Sequence, residues 1–213
     1  MPDLLVRPPD AWVLFVLAHG AGAGMRHHFL EAVATALAQR GVATFRYQFP
    51  YMDAGGGRPD PPAVLEAAVR AAVERATAAA SGLPLVAGGK SLGGRMTSSA
   101  AAASPLPGVR GLVFLGFPLH PPKQPGTRRA DHLDRVDLPM LFLQGTRDAF
   151  ARFDLLTSVY ELLGARATLH LVEGGDHSFA VLKRSGRTPE QVMDELTDTV
   201  AGWARSLLLG GAS

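Results

Sequence analysis

The chain has 213 residues, 47% of them hydrophobic, enough to bury the core of one globular domain. Its 21 basic and 19 acidic side chains nearly cancel, and no run of Lys and Arg supports a nucleic-acid groove. It contains no cysteine, which excludes a disulfide framework, a thiolate zinc site and a cysteine nucleophile.

At the amino terminus the apolar run Ala11–Ala18 lacks a basic leader and a cleavage pattern, and it is too short to span a bilayer. No other stretch approaches that length, so the expectation is a cytoplasmic chain without a membrane partner. Strands are expected at Trp12–Leu17, Ala43–Tyr47, Leu85–Ala87, Gly111–Leu115, Met140–Leu143 and Thr168–Leu171. Several are almost continuously apolar, as strands buried on both faces are. Helices are expected near 27–40, 61–80, 92–103, 152–163 and 189–208. The last opens on Thr188-Pro189-Glu190-Gln191, which pairs an N-cap hydroxyl with a proline at the first helical position and a reciprocal Gln. This alternation predicts an α/β fold, a mostly parallel sheet of about six or seven strands covered by helices on both faces. No composition break or repeat divides the chain, so residues 1–213 are expected to form one domain.

The first expected strand runs into His19-Gly20-Ala21-Gly22-Ala23-Gly24, a loop of small residues without the spacing of either nucleotide-binding glycine motif. His19 is expected to support that loop. His27 and His28 are consecutive on an expected helix and so do not share a face, and no other cluster has metal-ligand spacing. No metal or cofactor is therefore expected. Met52–Pro62 and Phe117–Gly126 are loops, either plain surface connections or borders of a site at the carboxyl ends of strands.

The central feature is Leu85-Val86-Ala87-Gly88-Gly89-Lys90-Ser91-Leu92-Gly93-Gly94. An apolar strand feeds a Gly-x-Ser-x-Gly turn and then small, helix-compatible residues, the local design of a nucleophile elbow. Downstream, Met140–Leu143 is followed by Gln144-Gly145-Thr146-Arg147-Asp148, and Thr168–Leu171 by Glu173-Gly174-Gly175-Asp176-His177-Ser178-Phe179. Ser91, Asp148 and His177 thus follow the carboxyl ends of three strands in the chain order of α/β-hydrolase triads. Their chemistry is complementary: a serine hydroxyl needs a base within hydrogen-bond reach, and the base needs an acid to fix its tautomer. Asp176, adjacent to His177, and Asp154, within an expected helix, are weaker candidates for that acid. The N–H groups of Leu92 and Ala21 are the expected oxyanion donors, with Ala23 or Met25 as alternatives to Ala21. Lys90 and Arg147 are candidates for holding an anionic substrate group, against a structural ion pair or an exposed charge; Arg95 also flanks the elbow.

With these residues in place, the chain resembles the small α/β-hydrolases related to dienelactone hydrolase, and more closely a subgroup of lidless hydrolases. The resemblance rests on His19–Gly22, Phe49–Met52, Gly88–Arg95, Gln144–Asp148 and Gly174–Phe179 and covers nearly the whole chain. It implies Ser91, Asp148 and His177 as a catalytic triad, and Lys90 as a shared feature. Dienelactone hydrolase itself uses cysteine, so its substrate does not carry over to a chain with Ser91. The amino-terminal strands of larger relatives are missing or reduced to a fragment near Leu4–Arg7. Phe117–Leu138 is too short for a cap domain and holds a loop and one short helix near Arg129–Arg135. The expected function is hydrolysis of an ester, thioester or related acyl bond in a small molecule through an acyl-Ser91 intermediate. Without a cap the site should be shallow and favour short acyl groups or substrates held on a larger partner. The alternatives are a catalytically silent scaffold on the same fold, and an acyltransferase.

Overall fold

The computed structural model describes residues 2–210. Seven strands form one sheet: β1 (Leu4–Val6), β2 (Val13–Ala18), β3 (Val42–Tyr47), β4 (Leu85–Lys90), β5 (Val109–Leu115), β6 (Met140–Gly145) and β7 (Ala167–Val172). Their spatial order is β1-β3-β2-β4-β5-β6-β7, with β1 antiparallel to β3 and every other pair parallel. The helices are α1 (His28–Ala38), α2 (Pro50–Asp53), α3 (Pro62–Ala79), α4 (Leu92–Ala103), α5 (Phe153–Leu163) and α6 (Pro189–Gly210). A 3-10 segment at Arg128–Arg135 occupies the place of a cap, and the described residues include no separate cap domain.

The expected strands are all present: the first is shifted by one residue, from Trp12–Leu17 to Val13–Ala18, and the other five are extended by one to three residues. The fragment at Leu4–Val6 is a true edge strand. The Met52–Pro62 stretch differs from expectation at its start. Pro50 supplies a preorganised φ at the first helical position, and the short helix α2 reaches Asp53 before the loop begins. The capping box at α6 forms as expected, with Thr188 N–H donating to Gln191 Oε1 and Gln191 N–H to Thr188 Oγ1.

Alternation along β2 shows why the sheet is buried on both faces. Leu14, Val16 and Ala18 enter one apolar cluster with α3 and α4, while Val13, Phe15 and Leu17 enter a second with α1 and α6. The chain leaves β2 towards β3 on one side and returns to β4 on the other, so β2 and β4 flank the point where strand order reverses. In open α/β sheets the crevice outside the carboxyl ends of such strands is where ligands bind. Among the described residues, no helix is long and apolar enough to cross a membrane.

Candidate active site

Ser91 sits between β4 and α4 with φ 50° and ψ −113°, a conformation that non-glycine residues rarely adopt. Backbone of this kind costs about 1–3 kcal/mol and persists only where its surroundings enforce it. Here the enforcement is close packing. A Cβ on Gly89 would lie 2.3 Å from Ala18 O, and one on Gly93 would lie 2.6 Å from His19 O. Glycine at both positions lets α4 start directly against β2, and Ser91 N–H donates to Leu115 O at the end of β5.

The loop after β7 carries His177 to this turn. Its Nε2 lies 2.8 Å from Ser91 Oγ, and its Nδ1 lies 2.7 Å from Asp148 Oδ2. The Asp148 side chain is fully buried, so its negative charge depends on local donors. Phe150 N–H donates to Oδ1 at 2.7 Å, and Gln144 Nε2 donates to Oδ2 alongside His177. With both carboxylate oxygens engaged, Nδ1–H is assigned to the Asp148 side, which leaves Nε2 free to accept the Ser91 proton. The two rival acids are elsewhere. Asp176 Oδ1 accepts from Ser178 N–H and Ala180 N–H within its own turn, and Asp154 pairs with Arg152 on the surface.

Two contributors carried no assigned role in the sequence. Gln144 is buried at the end of β6, where it accepts from Phe117 N–H at 2.9 Å while donating to Asp148. Its signal was a lone amide ending an apolar strand. Phe150 lays its ring over His177 at a centroid distance of 4.2 Å. No local pattern marks that contact, because Phe150 and His177 follow different strands.

The loop after β2 forms the opposite wall. His19 Nδ1 lies 2.8 Å from Gly20 O, and Phe49 N–H donates to His19 Nε2 at 3.0 Å, so a neutral imidazole bridges this loop to the end of β3. Burial lowers its pKa, which favours the neutral form. Ala23 N–H is spent on Gly20 O and Met25 N–H on Gln48 Oε1. Ala21, by contrast, lines the cavity in front of Ser91. Leu92 is the first residue of α4, where a backbone N–H has no intrahelical acceptor.

That cavity has a volume of about 400 Å³ and is walled chiefly by Ala21, Phe29, Lys90, Ser91, Phe150 and His177. His27 and His28 both line it as well, which departs from the expectation that consecutive histidines diverge. His27 is the N-cap of α1 rather than a helical residue, so the rings come within 4.1 Å of each other.

Lys90 is neither in an ion pair nor freely exposed. Its Nζ donates to the carbonyl oxygen of His177 and lies 5.3 Å from the Phe179 ring centroid and 6.0 Å from that of Phe29. Burial, opposed by the charges of Asp148 and Asp176, pushes its pKa down to about 8. Arg147 stands apart from the cavity: it is exposed and donates to Gly174 O at 3.2 Å. Neither expected border loop, Met52–Pro62 or Phe117–Gly126, contributes to the wall.

A second serine–histidine contact, Ser98 with His132 at 2.7 Å, has different chemistry. Ser98 Oγ donates to Arg95 O, so its proton is already committed and His132 Nε2–H is the donor to Ser98. Burial and the neighbouring Arg95 push the His132 pKa down to about 4. This pair ties α4 to the 3-10 segment and lies outside the Ser91 cavity.

A family model described as an alpha/beta hydrolase domain matches residues 11–205. Among solved structures, a dienelactone hydrolase from Anabaena variabilis is 21% identical with a TM-score of 0.72, over 94% of this chain and 89% of that one. An α/β serine hydrolase without a lid from Xanthomonas campestris is 21% identical with a TM-score of 0.71, over 94% and 88%. Est1E from Butyrivibrio proteoclasticus, solved with ferulic acid bound, is 16% identical with a TM-score of 0.71, over 98% and 95%. At such identities the likeness is one of fold. The family match spans nearly the whole chain, and the chain therefore belongs to the alpha/beta hydrolase domain family, as a small, lidless member with the dienelactone-hydrolase-like fold.

Proposed function

We propose that this chain is a serine hydrolase that cleaves an ester or thioester of a small molecule through an acyl-Ser91 intermediate. The observation that carries the reading is the unbroken line from Ser91 Oγ to His177 Nε2 at 2.8 Å and from His177 Nδ1 to Asp148 Oδ2 at 2.7 Å. As Ser91 Oγ attacks the carbonyl carbon, its proton passes to His177 Nε2, and Asp148 stabilises the imidazolium without itself becoming protonated. The N–H groups of Leu92 and Ala21 receive the negative charge that develops on the carbonyl oxygen. Collapse of the tetrahedral species expels the alcohol or thiol, which takes the proton from His177. Water then repeats the sequence on the acyl-enzyme and releases the acid with Ser91 restored.

The test is labelling by a fluorophosphonate probe, comparing the native protein with Ser91→Ala and His177→Ala. Labelling confined to the native protein, together with release of acid from short esters, is the expected outcome. A folded native protein that resists the probe would leave the scaffold reading in its place. Added alcohol or amine that captures the acyl group in preference to water would identify a transferase.

A further inference from the structure

Beside the Ser91 cavity lies a larger groove of about 700 Å³ between α1, the 178–189 segment and α6. Its volume lies within the range of sites that bury small ligands. His28, Phe29 and Ser178 line both spaces, so the groove begins where the Ser91 cavity ends. The floor is apolar: Phe179, Val192 and Leu196 belong to the core beneath it, and Phe29, Val181 and Met193 are partly buried against that core. Phe29 and Phe179 stack at 5.9 Å, which gives the passage one flat aromatic side. Phe179 holds that position with φ 63°, a left-handed conformation in the turn directly after His177.

Charge at the rim narrows the occupant. Arg187 is paired with Glu195 and Asp194 with Arg40, and the remaining rim charges, Lys183 and Glu190, are opposite in sign. The groove therefore presents no net attraction for a carboxylate, phosphate or ammonium group. What its walls favour is apolar surface leaving water.

We infer that this groove binds the uncharged, medium-chain acyl limb of the substrate whose carbonyl carbon is attacked by Ser91. The inference rests on the proposed hydrolase reading and departs from the expectation of a shallow site that favours short acyl groups or substrates held on a larger partner. Acetate esters leave the groove empty, whereas hexanoate and octanoate esters extend past Phe29 into it. Each methylene buried there contributes about fourfold to kcat/KM.

The test is a series of p-nitrophenyl esters from acetate to octanoate, run on the native protein and on Ala32→Trp and Met193→Trp. Both substitutions fill the groove at positions away from Ser91, Asp148 and His177. The native protein should gain at least tenfold in kcat/KM between acetate and octanoate. The variants should lose that gain while keeping native activity on acetate. A native protein indifferent to chain length, or variants that handle octanoate as well as the native protein does, would overturn the groove assignment. Calorimetric titration of octanamide into Ser91→Ala reads the groove without chemistry. Binding that Met193→Trp abolishes in that background supports the assignment even if no ester is hydrolysed, an outcome that removes the hydrolase reading alone. No octanamide binding overturns the assignment, whatever the rate on acetate.

Discussion

Lys90 offers the sharpest separation of stability from function, and Lys90→Met is the substitution that exposes it. Burial lowers the ammonium pKa from its ordinary 10.5 to about 8. At about 1.4 kcal/mol per pKa unit, holding the charged form in the fold costs at most about 3 kcal/mol, less where cavity water reaches it. Between pH 8 and 10.5 the unfolded chain binds a proton that the folded chain does not, so native stability rises with pH through that window. Methionine keeps the stem of the side chain and removes the charge. It also leaves the His177 carbonyl without its donor, a loss of about 1–3 kcal/mol that roughly offsets the relief from burying the charge. Urea unfolding should therefore find the two proteins close in stability at pH 7, with the native protein ahead by about 2 kcal/mol at pH 10.5. Other titrating groups are common to both, so the difference between the two curves isolates Lys90. The activity should behave otherwise. Without the contact that holds the His177 turn against β4, kcat/KM on acetate esters should fall about tenfold at pH 7. Parallel stability curves across pH, or a variant with undiminished activity, would refute this account.

Asp148→Asn should preserve the fold and lower kcat by about 10⁴-fold, because an amide stabilises the wrong imidazole tautomer; steady-state kinetics on a short ester measures it. Gly93→Ala places a methyl 2.6 Å from His19 O and 2.7 Å from Ala18 Cβ, both parts of β2 or its exit. The helix must shift, and thermal unfolding should show a loss of about 1–3 kcal/mol together with reduced probe labelling at Ser91. His132, with its pKa held down to about 4, has a different pH signature. Its folded-state value lies below the unfolded one, so the stability it contributes is present above about pH 6.5 and is lost as pH falls towards 4. His132→Asn should flatten the stability profile across that interval by up to about 3 kcal/mol.

Much of this architecture is local and was therefore readable along the chain. A strand buried on both faces must be apolar at consecutive positions, and a serine on a sharp turn against a neighbouring strand must be flanked by glycine. Those requirements are met by residues adjacent in sequence, so β2, β4, the elbow at Ser91 and the order Ser91, Asp148, His177 could all be recognised before any contact was known. The capping box at Thr188–Gln191 is legible for the same reason. What the chain order could not supply is the company each side chain keeps across the sheet edge. Lys90 reads as a charge bound for solvent or for a carboxylate, yet folding places its ammonium on the His177 carbonyl beside the stacked Phe29 and Phe179 rings. Arg147, equally plausible in sequence, turns away to Gly174 O. Gln144 gains its role only because Phe117 and Asp148 arrive from separate loops to share its amide. The groove beside Ser91 is likewise a property of packing: α1 and α6 are separated by most of the chain, and their apolar faces become one surface only when both settle on the same side of the sheet. Periodicity and spacing determine which residues form elements and where a nucleophile can stand. Long-range packing decides which charges are desolvated and what space lies beside Ser91, because those depend on neighbours that sequence distance does not reveal.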